Sequence, residues 1–163
     1  MKSIQSIPIK IFSDKELQKQ IVRWRLKNKK IIFTNGVFDI LHEGHISSLS
    51  EAASFGDILV VGVNSDQSVK RLKGPARPVN SEQARSLILA SIVVVDAVVI
   101  FEEDTPLELI KAIRPDVLVK GGDYTVDQIA GAKEVLEGGG EVKLAVIVPG
   151  ISTTGIIEKM KKQ

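Results

Sequence analysis

The sequence predicts an α/β fold: a doubly wound, parallel sheet of about five strands between two layers of helices. Three observations lead there. Short Val- and Ile-rich runs recur along the chain without polar alternation, as strands covered on both faces do. Helical patterns separate these runs, so each strand returns parallel through a crossover. Glycines and capping residues punctuate the junctions.

The elements follow in order. Ser13-Asp-Lys-Glu16 is a Ser-x-x-Glu capping box that opens a leading helix of about 14 residues, with Leu17, Ile21 and Trp24 forming an apolar stripe. Strands are expected over Ile31–Thr34, Ile58–Asn64, Ala97–Phe101, Val117–Lys120 and Val142–Val148. Helices are expected over His42–Phe55, Ser81–Ile92 and Thr105–Ile113, then a broken one over Val126–Leu136 and a last one from Ser152. Thr105-Pro-Leu-Glu108 adds a proline at the first helical position, where its missing N–H is harmless. Gly56-Asp57 and Gly138-Gly-Gly140 are helix stops. The result is a three-layer α/β/α, Rossmann-like arrangement in one globular unit. Its ligand site is expected beyond the carboxyl ends of the strands, where strand order reverses.

The composition narrows the function. Apolar residues make up 44% of the 163 positions and aromatics only 4%, so the core is aliphatic. Twenty-two basic residues nearly balance 20 acidic ones, which is not the field of a general nucleic-acid binder. With no cysteine there is no disulfide, thiolate metal site or thiol nucleophile. No apolar run approaches the ~20 residues that span a bilayer, and the N-terminus lacks a signal-peptide centre. A soluble, cytoplasmic protein without membrane or nucleic-acid partners is expected.

The first strand–helix junction holds both histidines of the chain, in Phe33-Thr-Asn-Gly-Val-Phe-Asp-Ile-Leu-His-Glu-Gly-His45. Gly36 lets a ligand approach the backbone. His42 and His45 lie at i and i+3 on one helix face. They sit near a helix N-terminus, where unpaired N–H groups and the dipole favour an anion. Phosphate binding is therefore the chemistry this junction suits. Metal ligation is the other chemistry open to two histidines, with Asp39 as the available third donor. No Gly-x-Gly-x-x-Gly follows the first strand and no P-loop occurs anywhere, which disfavours a plain NAD enzyme or a P-loop ATPase.

The stretch "TNGVFDILHEGH" resembles the His-x-Gly-His signature of the nucleotidyltransferase superfamily in its cytidylyltransferase-like form. The likeness continues through "VVGVNSD", "RPVNSEQAR", "VVDAVVIFEEDTP", "DVLVKGGDYT" and "GISTTGII", from about Lys30 to Met160. In this order the set is similar to the adenylyltransferases of ADP-heptose synthesis. Cytidylyltransferase relatives carry Arg-Thr-x-Gly-Ile-Ser-Thr-Thr where this chain has Ile147-Val-Pro-Gly-Ile-Ser-Thr-Thr154. The missing arginine weakens a glycerol-phosphate cytidylyltransferase assignment, and Lys120-Gly-Gly-Asp-Tyr124 with Ile129-Ala-Gly-Ala-Lys-Glu134 favours the heptose branch.

The resemblance implies transfer of AMP from ATP to D-glycero-D-manno-heptose 1-phosphate, giving ADP-heptose and pyrophosphate. Mg²⁺ would be carried mainly by substrate phosphates. The alternatives are a CTP-dependent cytidylyltransferase acting on glycerol 3-phosphate or another alcohol phosphate, and a non-catalytic nucleotide sensor. The resemblance assigns His42, His45 and Lys73 as catalytic. It assigns Thr34, Gly36, Phe38, Asp39, Lys70, Arg85, Lys120, Gly121, Gly122, Asp123, Ser152, Thr153 and Thr154 to nucleotide binding, and no residue to a resident metal. Asp39 is expected to organise its turn rather than act as a base. Lys70 and Lys73 are expected in a basic flap over Lys70–Pro78 that closes on phosphates. Residues 1–29 are read as an N-terminal helical extension and 30–163 as the nucleotidyltransferase domain. Homodimers are common in that superfamily, which makes a homodimer one expectation here.

Overall fold

The structure, a computed structural model, describes residues 4–122, 124–146 and 150–162. Six parallel strands form one sheet: β1 (Ile11–Phe12), β2 (Ile31–Gly36), β3 (Ile58–Asn64), β4 (Ala97–Phe101), β5 (Val117–Gly121) and β6 (Glu141–Ala145). Their order is β1-β4-β3-β2-β5-β6. The helices are α1 (Asp14–Leu26), α2 (Glu43–Ala53), α3 (Asp66–Lys73), α4 (Glu82–Ser91), α5 (Leu107–Ile113), α6 (Ala132–Glu137) and α7 (Thr153–Lys161).

The doubly wound, three-layer arrangement read from the sequence is the observed one, and the strands alternate between two apolar layers. Ile31 and Phe33 of β2, Val60 of β3, Val99 of β4 and Leu118 of β5 face one core, which Leu17, Ile21 and Trp24 of α1, Ile110 of α5 and Val135 of α6 complete. Ile32, Val61, Val98 and Val119 face the other, completed by Leu49 of α2 and Leu89 of α4. Both faces of the central strands are therefore covered by helices, and this is why their sequences show apolar runs without polar alternation.

Besides α5, which begins at Leu107 with Pro106 as its N-cap residue and no side-chain cap where the sequence predicts a Thr105 box and a proline inside the first turn, two elements differ from expectation. The sixth strand, β1, is two residues long and pairs Ile11 with Val98 and Phe12 with Val99. A run that short carries no periodicity to read. The second difference is α3. Its segment, Asp66-Gln-Ser-Val-Lys-Arg-Leu-Lys73, overlaps the stretch read as a basic flap, yet it forms two helical turns. Ser65 caps it by accepting the Ser68 N–H at 3.1 Å, and Val69 is buried beneath it. The β6 strand ends at Ala145; residues 147–149, part of its expected span, lie outside the described residues.

Strand order reverses between β2 and β5: the chain runs outward from β2 to β3 and β4, then crosses back to β5 and β6. The crevice of a doubly wound sheet opens at that reversal, at the carboxyl ends of the strands. Here those ends are Asn35-Gly36 and Lys120-Gly121.

Candidate functional site

At this crevice β2 runs into a tight turn before α2. Phe38 occupies the left-handed region with φ 50°, a conformation an aromatic residue rarely adopts and that costs on the order of 1 kcal/mol or more. A Cβ on Gly36 would lie 3.1 Å from the Phe38 ring, so glycine leaves the space that ring needs. The ring also lies 5.4 Å from that of His45.

His42 is the N-cap residue of α2 and His45 stands in its first turn. Their rings are stacked, with centroids 3.9 Å apart and planes at 33°. The His42 backbone N–H donates to His45 Nδ1 at 3.3 Å. A ring nitrogen that accepts cannot hold the proton of a neutral imidazole, so that proton sits on Nε2 as a donor. Burial, and then the charge of His42, lower the His45 pKa from 6.5 to about 4. His42 Nδ1 is buried with no hydrogen-bond partner. Such an atom is costly without a ligand to satisfy it.

Across the reversal, Lys120 of β5 donates to Asn35 of β2, to Oδ1 at 2.9 Å and to the carbonyl at 3.3 Å. Its Nζ also lies 5.7 Å from the centre of the Tyr124 ring. Burial lowers the Lys120 pKa to about 8. Gly121 and Gly122 continue the chain along the crevice; Asp123 lies outside the described residues. The N-terminus of α7 closes the arrangement. Thr153 Oγ1 donates to the Ile40 carbonyl at 3.2 Å, and Ser152 caps the helix by accepting the Gly155 N–H at 3.1 Å. Thr34, at the end of β2, lies between Val61 and Val119 in the centre of the sheet.

Asp39 and Arg85, assigned above to nucleotide binding, are both buried and bonded to protein, Asp39 at the turn it is expected to organise. Asp39 accepts from Arg77 Nε at 2.6 Å and from the N–H groups of Val79 and Asn80. Burial acts to raise its pKa, but the Asn80 and Val79 N–H groups and the Arg77 guanidinium outweigh it and hold the carboxyl below the usual range. Arg85, 1% exposed, donates to the carbonyls of Val37 and Asn80 and to Asp66. Lys70 and Lys73 belong to the last turn of α3 and are exposed. Among the described residues, neither ammonium is hydrogen-bonded to the histidine turn. The segment that reaches this turn is the one after α3, through Arg77, Val79 and Asn80.

Arg77, Asn80, Asn35 and Asp66 are thus site residues that sequence reasoning missed. None was singled out, although Asn35, Asp66, Arg77 and Asn80 all lie inside the motifs quoted above, and Arg77 is also one of four basic residues in Lys70–Pro78. A cavity of about 800 Å³ opens at the opposite, amino ends of the strands, lined by residues such as Arg25, Arg114, Asp116 and Glu134. Its mixed charges and its edge of the sheet set it apart from the crevice.

As for metals, the described residues hold no group of three or more carboxylates or histidines able to cage an ion. Asp39, the third donor the sequence offered, is already saturated by Arg77 and two N–H groups. What converges instead is a set of donors and one cation, suited to phosphate oxygens.

Comparison with known proteins agrees with this chemistry. Residues 33–159 match the cytidylyltransferase-like family. The chain is 56% identical over 158 residues to the bifunctional protein HldE of Koribacter versatilis, and 55% identical over 152 residues to that of Caulobacter vibrioides. These matches cover 95% and 93% of the chain but 32% of each relative. The chain thus spans about a third of the length of the curated relatives it matches. A crystal structure of the lipopolysaccharide core biosynthesis protein from Thermoplasma volcanium superposes with a TM-score of 0.59 at 31% identity, covering 74% of this chain and 97% of that one. Pantoate-beta-alanine ligase from Francisella tularensis, solved with an ATP analogue and beta-alanine, shares the fold with a TM-score of 0.61 at 20% identity, covering 93% of this chain and 76% of that one.

Proposed function

The chain belongs to the cytidylyltransferase-like family, and we propose that it transfers AMP from ATP to a sugar 1-phosphate, D-glycero-D-manno-heptose 1-phosphate, releasing pyrophosphate. One observation carries the reading: a stacked histidine pair at a helix N-terminus, with a buried and unpartnered ring nitrogen, standing at the strand-order reversal beside the Lys120 amine. High identity to the bifunctional HldE proteins supports the heptose branch.

In this reading an oxygen of the sugar phosphate attacks the α-phosphorus of ATP. The bond from that phosphorus to the bridging oxygen breaks, and pyrophosphate leaves with the electron pair. The attacking oxygen is already ionised, so no general base is required. The burden falls on charge stabilisation and alignment. The histidine pair donates to the triphosphate at the α-phosphorus, His45 from Nε2. Lys120 supplies positive charge at the neighbouring strand end, Thr34, Gly36, Gly121 and Gly122 line the nucleotide, and the family resemblance assigns Asp123 to it as well. Ser152, Thr153 and Thr154 present hydroxyls and helix N–H groups to the β- and γ-phosphates. Lys70 and Lys73, in the exposed last turn of α3, provide cations for the phosphates.

Mg²⁺ enters on the substrate, held mainly by phosphate oxygens and water, a reading supported by the described residues, which hold no group of three or more carboxylates or histidines able to cage an ion. The transfer domain is assigned to residues 30–163, with 1–29 as an extension that adds α1 to one face of the core. Among the described residues no helix is long and apolar enough to cross a membrane. We place the reaction in the cytoplasm, where ATP is available.

Pyrophosphate release with Mg²⁺, crossing ATP and CTP against heptose 1-phosphate and glycerol 3-phosphate, tests this assignment. Turnover confined to ATP with the heptose phosphate is expected. Turnover with CTP and glycerol 3-phosphate moves the chain to an alcohol-phosphate cytidylyltransferase. ATP binding without turnover in any combination leaves a nucleotide sensor.

A further inference from the structure

We propose that Arg85 is a positioning residue for the histidine pair: its buried guanidinium fixes the strained turn that seats His45, and it acts through that turn rather than on phosphate. The proposal rests on reading the histidine pair as the reacting end of the site. Its test is chosen to stand whether or not that reading does.

Arg85 is among the largest fully buried side chains. A guanidinium inside a protein is expensive unless its donors are matched. Each of its three nitrogens is matched, in a fork that only arginine can make. Nη1 donates to the Val37 carbonyl at 2.7 Å, Nε to the Asn80 carbonyl at 3.0 Å and Nη2 to Asp66 at 2.7 Å. One side chain thereby ties together the turn after β2, the approach to α4 and the first residue of α3. No nitrogen of this group is left without a protein acceptor, which is the opposite of a phosphate ligand poised for substrate.

The held segment is the one that needs holding. The Val37 carbonyl immediately precedes Phe38, whose φ of 50° persists only where the surroundings over-determine it. On the other side of Phe38, the buried Asp39 carboxylate takes the Val79 and Asn80 N–H groups and Arg77, and Asn80 Nδ2 donates back to the Asp39 carbonyl at 2.6 Å. Residues 37–39 are thus bracketed by Arg85 at one end and by the approach to α4 at the other. The product of the bracket is a fixed Phe38 ring, 5.4 Å from His45, and His42 stacks on that imidazole at 3.9 Å. Phe38 and His42 are ring neighbours of His45 and contribute to the burial that lowers its pKa to about 4, with the His42 charge adding a smaller effect. The ion pairs that hold the turn are Asp39–Arg77 and Asp66–Arg85, and the titratable ring against His45 is that of His42.

Arg85→Lys tests this, since it keeps the charge but offers one nitrogen to three acceptors. With two histidines in the chain, NMR titration of the imidazoles is readily assigned by comparison with a His42 variant. In Arg85→Lys the His45 titration is expected to rise by roughly one pH unit or more as water reaches the ring. Turnover is expected to fall about 10- to 100-fold through misalignment, with the KM for ATP held within roughly threefold. A folded Arg85→Lys protein whose His45 still titrates at the parent value overturns the proposal. So does a raised KM for ATP with turnover retained, the signature of a direct phosphate contact. If Arg85→Lys does not fold, Asp66→Asn loosens only the far arm of the fork. A smaller upward move of His45 is then expected, and no move overturns the proposal. Should the parent protein show no adenylyl transfer, the assigned reaction falls while the titration still decides the role of Arg85.

Discussion

A histidine that stays neutral to about pH 4 ties stability to pH in a defined direction. The unfolded chain takes up the His45 proton near 6.5, the folded chain only near 4. The contribution from keeping this ring neutral is therefore complete above about pH 6.5 and is lost as pH falls through about 4. Carboxylates titrate in the same window, so the relevant comparison is with His45→Gln, which lacks this ionisation. The melting temperature of the parent is expected to fall more steeply than that of His45→Gln between about pH 7 and 4. Parallel curves would show that His45 is not protected from protonation. At this scale the sequence was legible where chemistry is rare and local. Two histidines three residues apart after a glycine identify themselves. The partners of Asp39 and Arg85 do not, because Arg77 and Val37 lie 38 and 48 positions from them and become neighbours only through the fold.

The elements carry their own test in β3. Gly62 faces the Phe33 ring of β2, and a Cβ built there would stand 2.8 Å from the Phe33 Cζ in a close-packed core. Gly62→Ala is therefore an overpacking substitution and is expected to cost about 1–3 kcal/mol in equilibrium denaturation. A loss below roughly 0.5 kcal/mol would mean the two strands part easily. At the end of the chain, Ser152 caps α7 through the Gly155 N–H. Ser152→Ala is expected to remove about 1 kcal/mol of helix stability. Circular dichroism melts check that value, and an unchanged melt would deny Ser152 its capping role. Elements with apolar strands or strong helical patterns were legible: β3 and β4 have the predicted bounds, and α4 lies within the predicted Ser81–Ile92, with Ser81 as its cap. α3 was not legible, because only Val69 and Leu72 are apolar in eight residues and the run Lys70-Arg-Leu-Lys73 reads as solvated loop. Tertiary burial of Val69 and the Ser65 cap decide it instead.

At the scale of the whole molecule, one topological fact gathers the site. Because strand order reverses between β2 and β5, residues near positions 35, 120 and 153 meet at one edge of the sheet, although the sequence separates them widely. The general location was legible from strand–helix alternation alone. The particular contacts, Lys120 on Asn35 and Thr153 on Ile40, were not, since they depend on register and on how α7 returns. The central claim is that the histidine pair at this reversal stabilises charge during nucleotidyl transfer. The most direct measurement is turnover of ATP with heptose 1-phosphate by the parent and by His42→Ala, with ATP affinity and folding measured alongside. Removal of a transition-state donor is expected to lower turnover at least about 100-fold while ATP affinity changes only a few-fold. Equal turnover by a folded His42→Ala protein would contradict the account.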